Sequence, residues 1–264
     1  MQVLVRQEDT PVWRVRLAPG PGEEDVALDG PGLAALSAVL AQARASGCRV
    51  LVLDSAGPSF CRGMDLAKLV KLTPVEAEPA LAGYARAIHE LATFPGITAA
   101  IVAADAVGGG VGLAAAVDLV LATDAARFSL PELLWGLVPG MVIPPLAARI
   151  GARAAQRLAL TGATLDVDAA LGLGLVDGRL AGDVEKALRA RLRDLLRRSP
   201  AAVVRLKELV RSLADRPLPE ALERGLARTR DDIADEATRA AIRGFLDGEA
   251  PHWFAKVPRE EAAS

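Results

Sequence analysis

Ile97-Thr98-Ala99-Ala100-Ile101-Val102 leads into Asp105-Ala106-Val107-Gly108-Gly109-Gly110-Val111-Gly112-Leu113, and then, after a run of alanines, into Leu119-Val120-Leu121-Ala122. The first run is mostly apolar and of strand length, Gly112 to Val117 reads as a short helix, and Leu119 to Ala122 reads as the next strand. Strand, glycine turn, helix and strand in that order mark an α/β chain. On the N-terminal side, Glu76 to Thr93 is helical. Gly32 to Ala45 carries an apolar stripe at Leu33, Leu36, Val39, Leu40 and Ala43 ahead of the buried-strand run Val50-Leu51-Val52-Leu53. Val3 to Val5 and Val12 to Leu17 flank Glu8-Asp9-Thr10-Pro11 and predict two strands joined by a hairpin. On the C-terminal side, Phe128 to Leu130 is extended, and from about Gly151 the composition turns helical over Ala152 to Leu160, Val167 to Leu171 and Val184 to Arg198. One short strand is expected near Leu175-Val176. Ser199 is placed to cap a helix that starts at Pro200. Ala201 to Leu213, Pro219 to Asp232 and Ala234 to Leu246 follow as amphipathic helices, so residues 1–198 form an α/β core and residues 199–264 a helical region.

The 264 residues are 52% hydrophobic and 24% charged, which excludes a disordered or fibrous chain. Thirty-one Lys and Arg against thirty-three Asp and Glu leave a net charge of -2, so there is no global basic field to draw nucleic acid or an anionic membrane. The basic run Arg189 to Arg198 is interleaved with leucines and reads as a solvated helix face. Cys48 and Cys61 form neither a disulfide framework nor a zinc-ligand spacing, and the opening Met1 to Thr10 has no apolar targeting segment. The charge-free stretch from Leu133 to Ala148 is broken by Pro139, Pro144 and Pro145 and cannot span a membrane. The expected compartment is the cytoplasm.

Three segments carry residues suited to chemistry. Ser59-Phe60-Cys61-Arg62-Gly63-Met64-Asp65-Leu66 follows a strand and precedes a short helix with Lys68 and Lys71. Such a junction exposes backbone N–H groups to an anion, with Met64 N–H the candidate donor; Asp65 as a helix cap and Gly63 as a turn residue are the structural alternative. In the second segment, Gly108 to Gly110 let a ligand approach the backbone. It has neither the Lys-Ser/Thr of a phosphate loop nor the spacing of a dinucleotide fingerprint, and close helix–sheet contact would equally account for the glycines. The third, Phe128-Ser129-Leu130-Pro131-Glu132-Leu133-Leu134-Trp135-Gly136-Leu137-Val138-Pro139-Gly140, sets Glu132 as a lone carboxylate among apolar neighbours, where desolvation would raise its pKa and suit it to acid–base work.

Taken together, the order and spacing of these segments closely resemble the crotonase (enoyl-CoA hydratase/isomerase) superfamily, over nearly the whole chain. Thr161-Gly162, Gly172 to Asp177 and Gly244-Phe245-Leu246 fit the same pattern. The resemblance implies a spiral of strand-strand-helix turns with a C-terminal helical region that mediates trimers or paired trimers. It also implies a thioester carbonyl held between two backbone N–H groups, which carry over to Met64 and Gly109. Family hydratases use two glutamates. The second falls on Glu132, while the first falls on Gly112 and is absent. Phe60 to Asp65, Gly109 to Gly112, Phe128 to Pro139 and Val142 to Gly151 resemble more closely the dehydratases of polyketide β-branching cassettes; typical hydratases carry Gly-Gly-Thr soon after the Pro-Gly, and Met141-Val142-Ile143-Pro144 departs from it.

That subgroup implies dehydration of a 3-hydroxy-3-methylglutaryl thioester to the 3-methylglutaconyl thioester, with Glu132 as acid and base. No cofactor or metal is expected. The substrate is carried on the phosphopantetheine of an acyl carrier protein or on coenzyme A. A glutaryl group needs a cation for its distal carboxylate; Arg62, Lys68 and Lys71 are the nearest, with a surface or carrier-phosphate role as the other reading of all three. Asp65 is a helix cap or a second acid. Trp135 suits a pocket wall. His89 and the lone Tyr84 belong to no matched motif, and His252 lies in a C-terminal segment that can approach the acyl pocket in this superfamily. The companion 3-methylglutaconyl decarboxylase, an enoyl-CoA hydratase or isomerase of ordinary metabolism, and an inactive scaffold are the competing readings.

Overall fold

A computed structural model describes residues 1–8, 11–213 and 216–255. In chain order the elements are β1 (Gln2–Glu8), β2 (Val12–Ala18), α1 (Gly30–Ala45), β3 (Val50–Ser55), α2 (Leu66–Leu69), α3 (Pro74–Ala92), β4 (Ile97–Val102), β5 (Ala106–Val107), α4 (Gly109–Ala116), β6 (Leu119–Ala122), β7 (Phe128–Ser129), a 3-10 turn (Glu132–Trp135), α5 (Ile143–Ile150), α6 (Ala152–Thr161), α7 (Val167–Leu173), β8 (Gly178–Arg179), α8 (Val184–Leu195), α9 (Pro200–Ser212), α10 (Leu218–Ala234) and α11 (Glu236–Leu246). Contacts divide the chain into two compact units, Met1–Ala190 and Arg191–Ser264. The division falls inside α8.

In the first unit one sheet runs in the order β1-β2-β3-β4-β6-β8, and β5 and β7 form a separate two-stranded sheet. β1 and β2 are antiparallel, as the expected hairpin requires; the turn residues Asp9 and Thr10 lie outside the described residues. The remaining pairs are parallel, with Val50 opposite Ile97 and Ala99 opposite Leu119. The residues of β3 from Val50 to Asp54 and of β4 from Thr98 to Val102 are buried, which explains why these strands read as continuous apolar runs.

Two sequence expectations are corrected. Leu175 and Val176 are buried but unpaired, and the strand is Gly178–Arg179, three residues on. The apolar pair fills the core, whereas the Asp177 carboxylate accepts from Val120 N–H at 2.7 Å and sets the register. The Pro-interrupted stretch also contains a helix, α5, that the sequence did not reveal. Its prolines occupy the first turn, where the missing N–H groups would have had no partner.

The second unit is made of helices among its described residues, with Ser199 capping α9 through Ala202 N–H at 3.3 Å as its sequence predicts. Leu206, Val210, Leu222, Leu226 and Phe245 are exposed.

Candidate active site

Two loops meet side by side because each is stitched to the same neighbours. Phe60 and Cys61 donate to the Asp105 carbonyl at 2.9 and 3.2 Å, and Val107 donates back to the Cys61 carbonyl at 2.9 Å. On the other flank, Leu28 donates to the Gly63 carbonyl at 2.7 Å and Asp65 donates to the Leu28 carbonyl at 3.0 Å. A parallel bridge of this kind uses the groups on either side of Met64, so the Met64 N–H faces away from Leu28. No described residue accepts from it.

Gly108 turns the chain with φ +53 into α4, whose first N–H, that of Gly109, also has no acceptor among the described residues. The two donors are neighbours: a Cβ built on Gly63 would lie 2.9 Å from Gly109 N. The closeness requires glycine at Gly110, where a Cβ would stand 2.2 Å from the Cys61 carbonyl oxygen. Two unpaired N–H groups, one of them heading a helix, form a site complementary to an oxygen that gains negative charge.

Glu132 opens the 3-10 turn that Gly136 ends at φ +75. Its Oε1 lies 2.7 Å from where a Gly108 Cβ would be, so the carboxylate rests against the Gly108 backbone. Its Oε2 is buried and has no hydrogen-bond partner among the described residues. Burial raises the pKa of this carboxyl above its ordinary value, offset in part by its own backbone N–H.

Met64, Gly109 and Glu132 line one cavity of about 190 Å³, together with Arg62, Trp135 and Tyr84. Every lining residue belongs to the first unit, and Glu132 is the sole carboxylate and Arg62 the sole cation among them. Arg62 is exposed, with Asp25 at 3.7 Å. Trp135 forms wall at the rim, half its surface open to solvent.

Asp65 and Lys68 do not line the cavity. Asp65 caps α2 by accepting from Lys68 N–H at 3.0 Å, and its carboxylate lies 3.1 Å from Lys68 Nζ. Lys68 also pairs with Glu23. Of its two readings Asp65 takes that of the cap, and Lys68 is paired with protein carboxylates. His252 is exposed in the second unit, where its ring meets Trp253 edge-on at 5.0 Å. No cluster of three or more metal-ligating side chains occurs among the described residues.

Sequence reasoning singled out Tyr84 without giving it a place. Its ring is 1% exposed and its O–H donates to the Gly109 carbonyl at 2.7 Å. The available signal was the inward face of α3, Ala77, Tyr84, Ala87 and Leu91, on which a tyrosine is the one residue with a polar end.

The family model described as enoyl-CoA hydratase/isomerase matches residues 24–256. The chain belongs to the enoyl-CoA hydratase/isomerase family. It is 32% identical over 217 residues to a putative enoyl-CoA hydratase of Thermus thermophilus, covering 78% of this chain and 83% of that protein. It is 28% identical over 213 residues to the bacillaene synthase dehydratase PksH of Bacillus subtilis, covering 79% of this chain and 81% of PksH. The crystal structure of an enoyl-CoA hydratase from Shewanella pealeana superposes with a TM-score of 0.87 at 26% identity, over 96% of each chain. The crotonase fold expected from the sequence is thus the fold of this member of the enoyl-CoA hydratase/isomerase family, α/β with a C-terminal helical region.

Proposed function

We propose that this protein dehydrates a 3-hydroxyacyl thioester, specifically carrier-bound 3-hydroxy-3-methylglutaryl, to the 3-methylglutaconyl thioester. The observation that carries the reading is one half-buried carboxylate, Glu132, sharing a cavity with two unpaired N–H donors. With the thioester oxygen between Met64 and Gly109, the Glu132 carboxylate takes the C2 proton and the C1 oxygen gains the negative charge. Each N–H aimed at that oxygen is worth about 3 kcal/mol. The enolate pair then forms the C2=C3 bond as the C3–O bond breaks, and Glu132 returns its proton to the leaving hydroxyl. Water is lost and the carboxylate is restored, so no redox or metal step is needed. A raised pKa suits a group that must first accept and then give a proton. A tertiary hydroxyl leaves more readily than a secondary one, which is why a single carboxyl suffices.

The likeness to PksH supports a substrate on an acyl carrier protein, and the likeness to the Thermus protein supports coenzyme A. Arg62 is the group available at the cavity for a distal carboxylate or a pantetheine phosphate. The exposed apolar residues of α9 to α11 support self-association as a trimer or a pair of trimers.

Mass spectrometry of carrier-bound and coenzyme-A-bound 3-hydroxy-3-methylglutaryl, incubated with the protein and with Glu132→Gln, tests the reading. Loss of one water from the carrier form, abolished in the variant, is the expected result. Loss from the coenzyme A form alone would move the protein to ordinary acyl-CoA metabolism. Release of carbon dioxide from 3-methylglutaconyl would make it the decarboxylase, and inertness towards all three would make it a scaffold.

A further inference from the structure

The position of the missing first acid is not empty space. A Cβ built on Gly112 would lie 2.1 Å from the Tyr84 hydroxyl oxygen and 3.3 Å from Tyr84 Cζ. A Cβ on Gly109, one turn earlier on the same face of α4, would lie 3.4 Å from Tyr84 Cζ. The phenol is therefore seated against the first turn of α4, in a place that a glycine at residue 112 leaves open. From that place its O–H donates to the Gly109 carbonyl at 2.7 Å, and the ring forms part of the cavity wall.

We propose that Tyr84 is a positioning residue of the oxyanion hole: its hydroxyl holds the first turn of α4 so that the Gly109 N–H points into the cavity, and its oxygen fills the volume from which a second carboxylate would project. This rests on the reading of Met64 and Gly109 as the thioester-oxygen donors. It explains why Gly112 and Tyr84 occur together, since a side chain at residue 112 would displace the hydroxyl. The backbone alone fixes the turn less well. Gly108 to Gly110 are three glycines in succession, the sequence with the greatest freedom to reorient, and α4 has no side-chain N-cap. A buried hydrogen bond to the turn supplies the missing restraint. Burial, with the nearby Cys61 and Glu132 adding to it, pushes the phenol's pKa well above its ordinary value, so Tyr84 stays a donor throughout the working pH range.

The test reads the hole without requiring turnover. A pantetheine thioester with a 13C-labelled carbonyl is bound to the protein, to Tyr84→Phe and to Gly112→Ala, and the carbonyl stretch is measured by infrared difference spectroscopy. In the native protein the stretch shifts to lower frequency, and in Tyr84→Phe the shift shrinks while the thioester still binds. With a hydroxyacyl substrate, kcat falls about tenfold and KM stays within about twofold, because the donor matters most when the oxygen is charged. Gly112→Ala reproduces the Tyr84→Phe effect, and the double variant is no worse than either single one, since both remove the same contact. A full shift in Tyr84→Phe, additive losses, or a loss confined to KM would overturn the inference while leaving the oxyanion hole intact. Absence of a shift in the native protein would overturn the hole and the inference together, whichever substrate proves to be turned over.

Discussion

In the proposed dehydration Glu132 has to satisfy two opposing requirements with one carboxyl group. To take the C2 proton it must be ionised, yet burial favours the neutral acid. Its pKa is raised, so kcat/KM should fall on acidification through a value above the ordinary 4.5, and the acid limb of the pH profile checks this. The same shift bears on stability. A raised folded-state pKa contributes stability that is fully present below the unfolded value and lost as pH rises through the folded one. At neutral pH the ionised Glu132 therefore costs stability. Glu132→Gln should cut turnover by about 10²–10⁴-fold and raise the melting temperature at pH 7. The thermal gain should vanish near pH 4, and a lower melting temperature at pH 7 would contradict it. At Gly110 the constraint is steric: alanine there would meet the Cys61 backbone, which cannot rotate away, and should cost about 2–3 kcal/mol in urea unfolding.

At the scale of elements, α3 carries Tyr84 and Leu81 to the cavity and is anchored at its start by a capping box. The Thr73 Oγ1 accepts from Glu76 N–H, and the Glu76 carboxylate accepts from Thr73 N–H at 2.8 Å. Thr73→Ala should cost about 1 kcal/mol in thermal unfolding, with kcat preserved because Tyr84 lies about three turns further on. The element boundaries show what a linear reading can detect. β4 and β6 begin and end where their mostly apolar runs do, at Ile97–Val102 and Leu119–Ala122, because a strand buried on both faces carries few polar residues to blur its limits. Leu175-Val176 was legible as apolar but not as unpaired, since the same composition fills a core or a strand. Helix α5 was hidden by Pro144 and Pro145, which stop a helix in its middle and start one at its first turn.

At the scale of the molecule, β2, β3 and α8 are tied within the first unit by a buried charge network. Asp54 lies 2.6 Å from Arg14 and 2.8 Å from Arg16, and Arg14 reaches on to Glu185 at 2.8 Å. Asp54→Ala would leave the buried Arg14 without its inner partner and should cost about 3 kcal/mol in chemical denaturation, with little change in KM. The sequence by itself determined most of the strands and helices, the glycine turns and the lone carboxylate, because each is a local property of residue type and spacing; the donor positions at Met64 and Gly109 are what the family resemblance implies. Only the tertiary structure decided which charges face the cavity. Asp65 and Lys68 stand one and four residues from Met64 and Arg62 stands two, yet Asp65 and Lys68 pair with each other and Lys68 with Glu23 while Arg62 lines the wall. It likewise decided that the Tyr84 hydroxyl, 28 residues before Gly112, occupies the volume a second acid would need. Such a pairing has no signature along the chain, because it is set by packing between two helices and not by the period of either.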